Sequence, residues 1–105
     1  MKTHVSDPHR AYPGSVRESV EVKLQLLARY FERIESLRAV LSRQRSSHGV
    51  ELVVHVGDGA TLVVEAKAQT LDAALEQALQ RMKSLLTRHK QRLVQRHRRA
   101  RSAEK

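Results

Sequence analysis

Apolar and polar positions along the chain keep two rhythms, one helical and one extended. Val16, Val20, Leu24, Leu27 and Phe31 recur every three or four residues and share one arc of a helical wheel, which predicts a helix over 15–31. Two signals mark its start. Pro13 suits the first helical position, and Ser15-Val16-Arg17-Glu18 reads as a capping box in which Ser15 and Glu18 each satisfy a free backbone N–H. Residues 6–15 hold both prolines and predict a loop. Ahead of that loop Met1, Thr3 and Val5 alternate over a short candidate strand, Met1 to Ser6.

Strand rhythm then takes over. Across 36–44, Leu37, Ala39 and Leu41 face one side and Arg38, Val40 and Ser42 the other. Arg43 to Gly49 predicts a polar connection. Val50, Leu52, Val54 and Val56 alternate with Glu51, Val53 and His55, and Ala60, Leu62, Val64, Ala66 and Ala68 alternate with Thr61, Val63, Glu65 and Lys67. Gly57-Asp58-Gly59 between these runs predicts a hairpin, because Asp-Gly tolerates the turn geometry that the strand twist demands. A second helix, capped by Thr70 or Asp72, carries Leu71, Leu75, Ala78, Leu79, Met82, Leu85, Leu86 and Leu93 on one arc. Run to about Arg98 it would be about 42 Å long, longer than such strands can cover.

The order β-α-β-β-β-α predicts an α+β fold. It is a two-layer α/β sandwich with two helices on one face of a four-stranded sheet, the first strand parallel to the second and the other face open. Residues 1–95 are expected to form one domain and residues 96–105 a basic C-terminal tail. The 105 residues are 40% apolar and 30% charged, a globular composition able to bury a core without disulfides. There is no Cys, which excludes thiol catalysis and Cys-based zinc sites. Met1 to Asp7 contains no apolar stretch of the signal-peptide kind, and no apolar run approaches the roughly 20 residues of a membrane span. A cytoplasmic protein with no membrane partner is expected.

Charge changes the picture more than composition does. The net charge is +9. Residues 1–80 hold ten Lys/Arg and ten Asp/Glu, whereas residues 81–105 hold ten Lys/Arg and the single acid Glu104. On the second helix Arg81, Arg88, Arg92 and Arg99 form one ridge, and Lys83, Lys90, His97 and Arg101 a second, flanking the apolar arc on both sides. Neutral Gln77, Gln80, Ser84, Thr87 and Gln91 occupy the back. The helix macrodipole accounts for cations in the last turn only. Rows extending over several turns point to a polyanion, whose phosphates would relieve the repulsion between them. Tyr12, Tyr30 and Phe31 are the only aromatics and none falls on a predicted strand, which argues against base stacking on the sheet and favours contact with the backbone of structured RNA.

Enzymatic chemistry is not indicated. Gly57-Asp58-Gly59 lacks the Lys and the following helix of a phosphate loop. The six His show no metal-ligand spacing, and His89, on the apolar arc near its basic end, reads as a packed or RNA-facing imidazole. Glu51 and Glu65 are expected as neighbours on the open sheet face, paired with Lys67 or water. Ser, His and Asp form no nucleophile–base pattern. No catalytic residue, metal, cofactor or small-molecule substrate is expected.

Lys23-Leu24, Arg29-Tyr30-Phe31-Glu32-Arg33-Ile34, the strands around Gly57-Asp58-Gly59 and, above all, Leu86-Thr87-Arg88-His89-Lys90-Gln91-Arg92-Leu93 resemble the ribosome hibernation promoting factor family. That family includes the ribosome-associated translation inhibitor, protein Y, and was formerly labelled sigma-54 modulation protein. The likeness spans about residues 1–96. It implies the same β-α-β-β-β-α fold and a protein that binds the small ribosomal subunit and its rRNA. It also implies that the protein occupies the mRNA/tRNA channel and inhibits translation in idle ribosomes. The family's basic positions match Lys23, Arg29, Arg81, Arg88, Lys90 and Arg92; Lys83 and Arg96 join them on charge and wheel position.

The chain departs from the family pattern at three places. Val5-Ser6-Asp7-Pro8 replaces an apolar–Thr–Gly turn, Ser84 replaces a frequent Arg, and the end of the chain is a basic tail. That tail is neither an acidic tail nor an added dimerisation domain, so the dimer-forming role of long family members is not carried over. The free protein is expected to be a monomer. Two alternative functions follow from the residues: a protein–protein regulator, for example of a transcription factor, acting through the open sheet face with Val40, Val53 and Val63, and a general binder of structured RNA.

Overall fold

A computed structural model describes residues 2–103, with side chains as far as residue 95. The elements are β1 (Lys2–Ser6), α1 (Gly14–Tyr30), β2 (Ile34–Gln44), β3 (Ser47–Val56), β4 (Thr61–Ala68) and α2 (Leu71–Ala103). They form the expected β-α-β-β-β-α sandwich. The sheet order is β1-β2-β3-β4; β1 runs parallel to β2, and the other neighbours are antiparallel. The connection between the parallel pair is α1, as a parallel crossover requires. α1 lies over β1 and β2, and α2 over β3 and β4.

The strand alternation decides which face the helices cover. Leu37, Ala39 and Leu41 of β2, Val50, Leu52, Val54 and Val56 of β3, and Ala66 of β4 are buried. They join Val20, Leu24 and Leu27 of α1 and Ala74, Leu75, Ala78, Met82 and Leu86 of α2 in one cluster. Removing a side chain such as Leu24, Leu52 or Met82 from water stabilises the fold by about 1.5–3 kcal/mol each. Val53 is also buried, although it points to the open face, because it sits mid-sheet between Arg38 and Val63 in register. It is therefore not the exposed valine that alternation alone implies; Val63, half exposed, is.

Three boundaries differ from the sequence pattern. α1 begins one residue early, at Gly14, with Pro13 rather than Ser15 as the cap and no side-chain capping bond. The Pro13 carbonyl accepts the first helical bonds, from Val16 and Arg17, so Ser15 already lies inside the helix and no capping box forms. The polar stretch 43–49 is not a loop. Gln44 pairs with Ser47 across a tight turn at Arg45-Ser46, so the ladder absorbs the polar residues at an exposed end. Gly49 faces Ser42 there so closely that a Cβ would collide with the Ser42 hydroxyl. Finally, α2 continues to Ala103 instead of ending near Arg98.

Side-chain bonds fasten the ends. Thr70 caps α2, its Oγ1 accepting the Ala73 N–H at 3.1 Å. In the loop after β1 the Asp7 carboxylate accepts the N–H groups of Ala11 and Tyr12 at 3.0 and 2.9 Å, and Arg10 takes a left-handed φ of 50°. This loop seats Tyr12, whose hydroxyl donates to the Ser42 carbonyl and meets His48 Nδ1 at 2.6 Å. At the opposite end the Asp58 side chain accepts the Ala60 N–H, and Gly59 supplies the turn's positive φ of 91°. Gly57 N–H donates to the Arg33 carbonyl at 2.8 Å, and Asp58 Oδ2 lies 2.6 Å from His89 Nε2 of α2. The hairpin tip thus ties the α1–β2 turn to α2.

At 1.5 Å per residue the 33 residues of α2 span about 50 Å, whereas the ten residues of β3 span about 33 Å. α2 therefore outruns the sheet, and among its described side chains the last fully buried one is Leu86.

Thr70→Ala removes the cap of this helix and should cost about 1 kcal/mol in urea unfolding, or roughly 4–8 °C in melting temperature. The Ala60 N–H and, secondarily, His89 hold the Asp58 carboxyl below its usual pKa, with partial desolvation opposing them. Its stabilising effect is thus complete above the unfolded carboxylate pKa of about 3.9 and disappears as pH falls through the lower folded value. The stability gap between the wild type and Asp58→Ala should accordingly be widest near neutrality and close in strong acid, followed by urea melts across pH.

Candidate nucleic-acid interface

Packing of the α2 stripe against β3 and β4 sets the rotation of the helix, and with it the direction of every cation. Arg81 Nη1 donates to the Glu65 carbonyl of β4, which places the Arg81, Arg88 and Arg92 shoulder above the sheet edge. Lys83 Nζ lies 5.7 Å from the centre of the Tyr30 ring at the end of α1, which places the Lys83 and Lys90 shoulder towards α1. The two ridges therefore lie on opposite sides of the buried stripe, and all five cations are exposed. Among the described residues the only ion pair is His89–Asp58, so none of these five has a carboxylate partner there. With no carboxylate bound to them, they present unneutralised positive charge to solvent, screened only by water and salt.

The α1 cations separate. Lys23 lies one heptad before Tyr30, on the same side of α1 as that ring by helical spacing, and is half-buried. Arg29 is exposed and, at 100° per residue, sits about 120° around the helix from Lys23. Lys83 and Lys90 thus lie on the α1 side of α2, and Arg81, Arg88 and Arg92 along the β4 shoulder. Arg29 stands apart. Arg96, with His97, Arg98, Arg99 and Arg101, lies outside the described side chains.

Several features of this region are invisible in the one-dimensional pattern. Tyr30, the last residue of amphipathic α1, is 76% exposed. With Phe31, Arg33, Leu86, Lys90 and Leu93 it lines a cleft of about 470 Å³ between the end of α1 and α2. His89 is a packed imidazole, half-buried and held by Asp58, 31 residues away in sequence. No local signal could have announced that pair.

The open sheet face is chemically different. Glu51 and Glu65 are register partners across β3 and β4, as expected. A hydrogen bond with the Glu65 carboxyl, then partial burial and the Glu65 charge, hold the Glu51 carboxyl above its ordinary range, against the pull of Arg38. Two carboxyl groups at this spot disfavour a phosphate there. Among the described residues no three His, Cys, Asp or Glu side chains are grouped to hold a metal ion, and no helix is long and apolar enough to cross a membrane.

Comparison with known proteins places this geometry. Residues 4–94 match the family described as sigma 54 modulation protein / S30EA ribosomal protein. A ribosome hibernation promoting factor of Salmonella typhimurium is 33% identical over 95 residues, covering 90% of this chain and 99% of that protein. One from Azotobacter vinelandii is 26% identical over 104 residues, covering 99% and 96%. The crystal structure of the Thermus thermophilus Protein Y N-terminal domain superposes with a TM-score of 0.71 at 26% identity, covering 85% of this chain and 99% of that one. The chain therefore belongs to the sigma 54 modulation protein / S30EA ribosomal protein family, that of the ribosome hibernation promoting factors.

Proposed function

We propose that the protein is a ribosome hibernation factor that binds the small subunit through rRNA, occupies the mRNA/tRNA channel and inhibits translation in idle ribosomes. The observation that carries this is the pair of exposed cationic ridges on α2, free of carboxylate partners among the described residues and aimed by a rigid sandwich. Lys23, Arg29, Arg81, Lys83, Arg88, Lys90, Arg92 and Arg96 are the contacting residues. The names of the relatives support the ribosome as the site of action. Residues 1–95 are the binding unit, 96–105 extend it as a basic tail, and the free protein is a cytoplasmic monomer.

In mechanism, the protein performs no bond chemistry. Guanidinium and ammonium groups displace counterions from rRNA phosphates, and the entropy of the released ions drives docking. Because α2 is locked to β3 and β4 by Leu75, Ala78, Met82 and Leu86, its cations are preordered and little side-chain-bearing structure must be rearranged on binding. The docked sandwich then excludes mRNA and tRNA by volume.

Arg88→Glu with Lys90→Glu should abolish co-sedimentation with small subunits while leaving the circular dichroism spectrum unchanged, since both side chains are exposed. Lys67→Glu, on the open sheet face, should leave sedimentation intact. Contact with about six phosphates should give a slope of log affinity against log salt near −4 to −5. An affinity insensitive to salt, or wild-type sedimentation by the double variant, would exclude this surface.

A further inference from the structure

Phosphate contact explains the cationic ridges but not the cleft between them and α1. The floor of this cleft is apolar, formed by Ile34, Val56, Leu86 and Leu93, and Tyr30 stands at its side. An aromatic ring 76% exposed beside an apolar floor is not core, and it is not needed for the cluster that holds the helices. One neighbour already treats the ring as a recognition surface: the Lys83 ammonium lies over it at 5.7 Å. Arg33 and Lys90 add positive charge to the lining, against one carboxylate, Glu32.

The cleft also opens at the C-terminal end of α1, where the backbone carbonyls present the negative end of the helix dipole. A bare phosphate is poorly matched to that end and to an apolar floor. An uncharged flat ring attached to a phosphate is matched to both, with the ring inside and the phosphate on the surrounding cations. Unpaired RNA bases are bound in this way, stacked on aromatic side chains with the backbone on basic ones.

We propose that this cleft takes one unpaired nucleobase of RNA, stacked against Tyr30, with its flanking phosphates held by Lys83, Lys90 and Arg33. The inference rests on the ribosomal RNA reading above and adds a base-binding position to a surface otherwise built for phosphates. This stacking position lies at the end of a helix and not on a strand.

The test compares wild type, Tyr30→Phe and Tyr30→Ala, whose exposed site leaves the fold unaffected. Each is titrated with single-stranded oligouridylate and with an abasic ribose-phosphate oligomer of the same length. Oligouridylate should quench tyrosine emission in the wild type but not in Tyr30→Phe, which retains only Tyr12. Tyr30→Phe should keep the affinity, and Tyr30→Ala should bind oligouridylate about tenfold more weakly. The abasic oligomer should bind all three equally without quenching. Equal affinity of Tyr30→Ala and wild type for oligouridylate would overturn the assignment. So would a loss by Tyr30→Ala in ribosome sedimentation alone, which would give the cleft to an apolar side chain of a ribosomal protein. Sedimentation of the wild type is scored separately: quenching by oligouridylate in a protein that does not sediment with small subunits would reject the ribosomal reading and uphold the base-binding cleft.

Discussion

Burial of one apolar stripe of α2 against β3 and β4 governs the whole molecule. Ala74, Leu75, Ala78, Met82 and Leu86 leave solvent together, and a helix so seated cannot turn about its axis without exposing several large side chains at once. Each exposure costs on the order of 2 kcal/mol, so the orientation is effectively single-valued. Every cation on α2 inherits its direction from that constraint. Arg81 rests on the β4 backbone and Lys83 on the Tyr30 ring because the stripe between them points into the sheet.

The same constraint keeps like charges close together. Five described cations lie between Arg81 and Arg92 with no carboxylate bound to them. Their mutual repulsion is tolerated because solvent and salt screen exposed charges and because the fold is held by apolar contacts elsewhere. The carboxylates are used differently: Asp7 orders the loop before α1, Asp58 closes the hairpin and clamps His89, and Glu51 and Glu65 share the open face. These acids are tied into the fold or to one another, whereas the described bases on α2 carry no carboxylate partner.

The far end of the molecule shows how rigidity and recognition meet. Gly57 N–H bonds the Arg33 carbonyl, and Asp58 bonds His89. These contacts join the α1–β2 turn, the β3–β4 hairpin and α2 around one cleft. Tyr30, 76% exposed, stands beside this fastened end on the last turn of α1. Preordering of this kind lowers the entropic cost of binding a flexible ligand.

The sequence by itself determined the elements, their order, the buried faces and the two cationic ridges of α2, since alternation and helical spacing depend only on near neighbours. It was least reliable at boundaries where local signals compete. Pro13 displaced Ser15 as the cap of α1, and the β2–β3 ladder drew all of polar residues 43–49 except the turn at Arg45-Ser46 into strands. Only the tertiary structure decided that Val53 is buried, that Asp58 meets His89, and that Lys83 crosses to Tyr30 beside an apolar cleft. Those contacts join residues tens of positions apart, and their formation depends on how far α2 runs past the sheet and how α1 sits beside it. Neither quantity is written in any local pattern, because both follow from the shape of the core that the whole chain builds together.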